Sequence, residues 1–585
     1  MYKRIAFLSS MTLIGISSAD AQFQVVHDVP DTDTYPPTIR TIVTSDGGMI
    51  TLQRVDSTHL FRKYDAQGGL LWNKVLQDTS ALPPVFDLVN NNITAMAMTD
   101  NGGCVFAQYV GKIETSSFPP EPPDSAWTYF NVMELDGAGA LINSIQIEKF
   151  HDYLPMTSVH SLDLRSMPDG EVHLLATYQD GASGFLELYK IQADGTMAWS
   201  RSVGNDYGGI FLGSSDPTYS YALHPEARMM VDPQGNSYII DRSMFGGAEL
   251  FIWKLAPDGS LLWMNQYNYS NVPTGISLEG LDVDGNGSLL GGGLLTNSVG
   301  RFAFFCNIDP DGTMLDLDIY RLPDDIYPQY HGGAAGFDTM GRRYYKADHI
   351  AGNSSSETQF ILQADTIGSP ALFLRRNDQV ILPNNVFVPL QHMDVHEDRM
   401  AVTAVLNHEH VDFAFTTRYE TALLFDTDDL FSCILTDSTL EHIAVPLEII
   451  TTSQPADAAS IDISAYVDAY PITDYTISDL PTEPLEDLCT FAYNLLGIEI
   501  GLEEESPTGW ELVRMTAIPA GSPIELIRPD VTRIELYNVN GQLLLDRTIG
   551  MDHNVTTDRI PTGIFFIRGH DRVGTVIGVQ RLLIF

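Results

Sequence analysis

A fifteen-residue stretch, Leu250 to Met264, constrains the fold more than any other part of the chain. It reads as one hairpin: an apolar run, a turn at Asp258-Gly259, and a second run carrying Trp263. Lys254 stands five residues before the turn glycine and Trp263 four after it. The same frame fits Lys63, Gly68 and Trp72, and again Lys190, Gly195 and Trp199. Looser copies are Glu134 with Gly139, Asn307 with Gly312, and Gln363 with Gly368. A seventh copy, Leu423 to Asp428, lacks the glycine.

A second turn precedes each copy: Asp46-Gly47-Gly48, Asp100 to Gly103, Asp169-Gly170, Asp232 to Gly235, Asp284 to Gly287, Asp338 to Gly341 and His396 to Asp398. Gly supplies the positive φ of a short hairpin turn, and Asp or Asn tolerates it. Two hairpins per repeat make four strands. Seven repeats at a spacing of about 50 to 70 residues predict an all-β chain with a seven-bladed β-propeller of four-stranded blades. The tryptophans, at a fixed offset from the turn, are expected to pack between neighbouring blades.

The chain has 585 residues, and 76 acids against 32 bases give a net charge of −44. Phosphate binding needs a basic face, so nucleic acid is not an expected partner. The acids are spread along turns, which favours solubility. Four cysteines, Cys104, Cys306, Cys433 and Cys489, are too few for a disulfide scaffold.

Met1 to Ala21 reads as a secretory signal: Lys3 and Arg4, an apolar run, and Ala19-Asp20-Ala21 as the cleavage site, with cleavage after Ala21. No transmembrane segment is expected, because no run reaches spanning length. The propeller is assigned to 22–433, with Gln24 to His27 a candidate closing strand beside the last blade. Residues 434–489 break the repeat and read as short extended pieces. Cys433 and Cys489 flank them, and a disulfide there would contribute about 3–4 kcal/mol in an oxidising compartment. The other reading is two unpaired thiols. Residues 490–509, with Glu503, Glu504, Glu505 and Pro507, form an acidic linker. Residues 510–585 read as a small β-sandwich of short alternating strands.

This last module resembles the type A C-terminal sorting domain of type IX secretion substrates. The resemblance rests on Ile534 to Leu543, with Tyr537, Asn538, Gly541 and Gln542 in the family's positions, and on Ile560 to Arg568, with Pro561, Gly563 and Arg568. It departs at Ile518-Pro519, where the family has Asn-Pro, and at Arg581, where it has Lys. The resemblance implies export through an outer-membrane type IX machinery and a protein released or held at the cell surface. The repeats also resemble those of secreted bacterial propellers, most closely at Asp232 to Tyr238. That likeness names no activity.

Catalytic signatures are absent from the sequence: no G-x-S-x-G, no H-E-x-x-H, no phosphate loop and no sialidase box. Asp282-x-Asp284-Gly285-Asn286-Gly287 resembles the start of an EF-hand loop, but the twelfth position is Gly293, so the bidentate Glu of a calcium shell is missing. A hairpin turn accounts for it, and no cofactor is expected, calcium being the one metal the scattered acids leave open. His408-Glu409-His410 reads as a loop, and His392 and His396 as surface residues. Long loops at 116–125, 205–224 and 320–333 are the expected ligand surface, because loops on a rigid scaffold carry binding residues.

These readings point to a secreted or surface-displayed propeller acting as a binding, adhesion or structural module for an extracellular ligand. The alternative is a secreted propeller hydrolase acting on extracellular glycans or peptides. A mouth lined by paired carboxylates or a His–carboxylate set favours the enzyme; scattered acids and aromatics favour binding.

Overall fold

The computed structural model describes residues 23–28, 40–55, 58–78, 93–115, 125–151, 158–180, 183–203, 228–242, 249–269, 276–297, 300–323, 333–347, 360–376 without 366, 386–409 without 388–389, and 416–430 without 429. Beyond these it describes 435–443, 449–453, 460–480 without 473–474, 486–487, 512, 517–518, 523–526, 530–538, 543–549, 554–555, 560, 563–572 and 576–584. The described residues are almost wholly β-strand, with a single 3-10 turn at Ser464–Tyr466. No helix among them is long and apolar enough to cross a membrane. The chain divides into two units, the second made of Asp487–Phe585 with Asn377–Val386 and Ser432–Ile434.

The first unit contains seven antiparallel sheets, here numbered in chain order: sheet 1 (40–78), sheet 2 (94–151), sheet 3 (158–203), sheet 4 (228–269), sheet 5 (276–321), sheet 6 (333–376) and sheet 7 (390–426). Sheets 1 to 6 each contain four consecutive strands. Sheet 7 has three from its own stretch, and Phe23–Asp28 supplies the fourth, pairing with Thr416–Asp426 in the register Phe23↔Leu424 to Asp28↔Tyr419. Gln24 to His27 therefore takes the closing position expected of it. The first strands touch in sequence order, and Leu390–His396 of sheet 7 touches Arg40–Val43 of sheet 1, so the contacts between sheets are cyclic.

The turns carry the conformation that their residues demand. Twelve turn glycines, from Gly47 to Gly368, have φ between 73° and 85°. Sheet 7 lacks a glycine at its first turn, and Glu397 there takes φ 52°, the one non-glycine positive φ among the described residues. The turn aspartates cap the loop they open: Asp232 Oδ1 accepts the backbone N–H of Gln234 and of Asn236 at 3.0 and 2.8 Å.

The core lies between sheets. Leu175, Leu188 and Trp199 of sheet 3 bury against Met229, Ile239 and Trp253 of sheet 4. Val43, Met49 and Tyr64 of sheet 1 bury against Ala401, Ala422 and Leu424 of sheet 7, which makes the closure an apolar seam as well as a strand pairing. Such burial is worth about 25 cal/mol per Å² of apolar surface.

Residues 435–487 add one further strand to each sheet. Leu435–Leu440 pairs with sheet 6, His442–Ile443 with sheet 5, Ile449–Ser453 with sheet 4, and Ser460–Asp462 with sheet 3. Val467–Pro471 follows on sheet 2, Tyr475–Asp479 on sheet 1, and Glu486–Asp487 beside Phe23–Asp28 of sheet 7. The segment thus runs around the sheets in reverse order as a girdle. The four-stranded sheets expected from the repeat have five strands in sheets 1 to 6 and six in sheet 7, where Val386–Phe387 also pairs, because an unpaired outer edge exposes a row of backbone donors and acceptors that a further strand satisfies. Cys433 and Cys489 lie outside the described residues. Cys104 and Cys306 are buried free thiols.

In the second unit, Ala517–Ile518, Val576–Ile584, Gly563–His570, Arg533–Asn538 and Leu543–Thr548 form a five-stranded sheet in that order. Ile524–Glu525 and Asn554–Val555 form a two-stranded one. Both contribute to one buried cluster, with Ile524 and Val555 beside Ile534, Leu536, Phe565 and Ile567.

Candidate functional site

The repeat residues that mark the sequence hold the sheets together. Lys254 and Trp263 are cross-strand neighbours in sheet 4. Trp199 Nε1 donates to Pro257 O in sheet 4 at 2.8 Å, and Lys190 Nζ donates to the same oxygen at 3.3 Å. One sheet further, Trp263 Nε1 and Lys254 Nζ both donate to Pro310 O, at 3.1 and 3.0 Å. Trp72 Nε1 donates to Gly137 O of sheet 2 at 3.0 Å. The indole of Trp199 lies on Gly259, where an added Cβ would stand 2.8 Å from the ring. The tryptophans are inter-sheet locks, as their fixed offset predicts.

The candidate site is the cavity that the first strands enclose. Its volume is about 270 Å³, and all seven sheets contribute lining residues. Position along the first strand decides which side chains meet there. Val43, Ser166, Val231 and Val283 each close the first hairpin of their sheet. One residue back stand Arg165 and Asp282, with Asp394 in the matching place of sheet 7; three back stand Arg40, Asp163, Arg228 and, in sheet 7, His392. Residues two apart on a strand share a face, so both positions meet the same space. Lys346 joins them from the second strand of sheet 6.

The three carboxylates staple alternate joints between sheets. Asp163 Oδ2 accepts the N–H of Met229 in sheet 4 at 2.8 Å. Asp282 Oδ2 accepts that of Phe337 in sheet 6 at 3.1 Å. Asp394 Oδ2 accepts that of Val43 in sheet 1 at 2.8 Å, across the closure. The second oxygens of two are also engaged: Asp163 Oδ1 with Leu164 N and Arg165, and Asp282 Oδ1 with Val283 N. Gly336 makes room between Asp282 and the side chain of Val395, since a Cβ there would stand 3.5 Å from Asp282 Oδ2 and 2.9 Å from Val395.

Burial sets the protonation of these groups. It pushes the Asp282 carboxyl up to about 7, with Asp394 nearby adding to the rise. Asp394 is raised for the same reason. His392 is held well below the ordinary histidine range, first by burial and then by Arg40, Arg228, Lys346 and Arg165 around it. Its Nδ1 is buried and has no hydrogen-bond partner among the described residues.

Sequence reasoning misplaced several of these residues. His392 and His396, expected at the surface, lie on Leu390–His396 and line the cavity. His408 and Glu409, expected in a loop, end a strand and pair with Thr417 and Thr416; His410 lies outside the described residues. Asp282 and Asp284 of the EF-hand-like stretch diverge: Asp284 Oδ1 caps its own turn through Asn286 N and Ser288 N, while Asp282 lines the cavity. Among the described residues, no group of three or more His, Cys, Asp or Glu converges as a metal shell would. The loops expected to form a ligand surface fall almost wholly outside the described residues. The alternation of charge along the first strands was the available signal for the cavity.

In the second unit, Tyr537 and Arg568, two of the residues on which the family resemblance rests, come together, with the guanidinium 5.2 Å from the ring centroid. Glu535 joins them, taking a hydrogen bond from Tyr537 at 2.8 Å and lying 3.0 Å from His570. Asn538 and Gly563 lie on strands of the same sheet. Gly541, Gln542 and Pro561, like the stretch expected to be a signal and the expected cleavage point after Ala21, lie outside the described residues.

No family model matches the chain, and no curated protein does. Among solved structures it is similar to the polysaccharide lyase Uly1, at 11% identity over 70% of this chain and 90% of that one, with a TM-score of 0.36. It is similar to a protein of unknown function from Dyadobacter fermentans DSM 18053, at 9% identity over 60% of this chain and 99% of that one, with a TM-score of 0.27. A prolyl endopeptidase matches at 11% identity over 67% of this chain and 55% of that one, with a TM-score of 0.24.

Proposed function

We propose that the seven sheets form a seven-bladed β-propeller that is exported from the cell and captures an extracellular ligand in its central cavity. The cyclic contacts of the first strands and the N-terminal strand in sheet 7 support the propeller. The observation that carries the binding reading is the cavity itself. All seven sheets line it, yet two of its three carboxylates have both oxygens in structural hydrogen bonds, which leaves a polar receptacle rather than a free acid–base pair. Export by a type IX-like route is supported by the C-terminal motif, whose Tyr537 and Arg568 stack on neighbouring strands.

A second reading, a hydrolase acting on glycans or peptides, draws on one specific feature. Asp282, with its carboxyl near 7, stands close enough to Asp394 to feel its charge, the pattern of a general acid beside a carboxylate.

One experiment separates the two. The protein is incubated with extracellular polysaccharides and peptides, and retention and product size are followed together. Retention with unchanged polymer length is the expected result. Shortening that Asp282→Asn abolishes makes the protein a hydrolase instead. Export is tested by fractionating cells that carry the full chain or the chain without 510–585. The full chain reaches the surface or medium and the shortened one stays in the periplasm; identical distributions overturn the route.

A further inference from the structure

We infer that the central cavity receives a small oxoanion, a carboxylate or sulfate group carried by the extracellular molecule the protein binds. The inference rests on the reading of the cavity as a binding site and names the chemistry it selects.

Seven charged side chains line the cavity: Arg40, Arg165, Arg228 and Lys346 against Asp163, Asp282 and Asp394. At the chain's own ratio of 76 acids to 32 bases, seven charged residues would include about five acids. Here bases outnumber acids, four to three. The acids are also spoken for, each bonded to a backbone amide of the next sheet. Arg165 is held by Asp163 Oδ1 at 3.0 Å, and Arg40, Arg228 and Lys346, from three other sheets, bear with it on His392.

His392 adds a directed partner. Its Nδ1 is buried at the cavity with no hydrogen bond to another described residue, a cost that a bound group removes. Guanidinium forks match the geometry of carboxylate and sulfate oxygens, and their attraction is stronger where water is scarce. At about 270 Å³ the space falls just below the range of small-molecule sites, roughly 300 to 1,000 Å³, so it holds one charged group or sugar-sized residue rather than a length of polymer.

Isothermal titration of the full protein with glucuronate, inorganic sulfate and glucose tests this. Glucuronate or sulfate binds and glucose does not, and the anion preferred reports whether a carboxylate or a sulfate is read. Arg228→Gln weakens that binding at least about tenfold, the loss expected when one charge-assisted contact goes. If that variant fails to fold, footprinting of the unaltered protein with phenylglyoxal replaces it: the bound anion slows modification of Arg228. Glucose binding as well as glucuronate overturns the anion inference and leaves the binding reading standing. Anion binding that Arg228→Gln leaves unchanged, or that leaves Arg228 modification unchanged, overturns the site. Failure of these probes and of every extracellular polymer to bind overturns the binding reading with it.

Discussion

Lys254 and Trp263, nine residues apart in sequence and directly opposite in sheet 4, donate to one carbonyl, Pro310 O of sheet 5, at 3.0 and 3.1 Å. The pair explains why the repeat keeps both residues at fixed distances from the turn glycine. A lysine so deeply placed needs a partner for its charge, and the next sheet supplies a carbonyl where the indole already docks.

Shared acceptance predicts coupling between the two. Trp263→Phe keeps the ring and loses the N–H, and Lys254→Met keeps the chain and loses the charge. Each is expected to cost about 1 kcal/mol, the value of a single hydrogen bond. Together they leave Pro310 O without either donor and cost about 0.5–1 kcal/mol more than the sum. Urea midpoints of the four proteins in the cycle measure this, and strict additivity would show that the donors act independently.

The closure between sheets 7 and 1 depends on Asp394. Asp394→Ala strands the N–H of Val43 and is expected to destabilise the first unit by about 1–3 kcal/mol. Asp394→Asn keeps an acceptor oxygen and costs less. Thermal midpoints rank the three proteins, and an alanine variant as stable as the original would deny the staple its role.

The girdle protects the outer edges. A chain ending at residue 430 leaves those edges open, whereas one ending at residue 487 keeps every girdle strand. The shorter chain is expected to self-associate through its exposed edges and the longer one to elute as a single species. Size-exclusion chromatography at matched concentrations decides, and a well-behaved shorter chain would make the girdle dispensable.

Acid weakens the fold through His173. This ring lies between sheets 3 and 4, 3.0 Å from Ser237 Oγ, and burial, helped by Lys190, pushes its pKa down to about 3. The unfolded chain binds a proton near 6.5 and the folded one does not, so this residue's contribution falls as pH drops from about 6.5 towards about 3. His173→Gln is expected to lose less thermal stability than the original between pH 7 and pH 4.5. Equal losses would place the acid sensitivity elsewhere.

Much of the first unit was legible in the sequence because its determinants are local. A turn that needs positive φ selects glycine within four residues, and Gly259 or Gly195 can be read without knowing what lies across from it. The same holds for the four longer strands of the second unit, Arg533–Asn538, Leu543–Thr548, Gly563–His570 and Val576–Ile584, whose alternation marks them one by one. The girdle was not legible in this way. Its strands are two to six residues long, and their partners lie roughly 60 to 460 residues away, as Leu435 opposite Arg376 and Glu486–Asp487 beside Phe23–Asp28 illustrate. Nothing within so short a strand specifies which edge it completes.

The cavity shows the same division. Arg165, Asp282, Asp394 and His392 are unremarkable in the sequence, and His392 even reads as a surface residue. Alone, the sequence determined the repeat, the turns, the strand periodicity and the residues that lock one sheet to the next, all of which follow from interactions within or between adjacent hairpins. Only the tertiary structure decided that side chains from seven separate first strands face one small space, because that meeting depends on the cyclic order of the sheets, and desolvation there, not residue type, sets their charge.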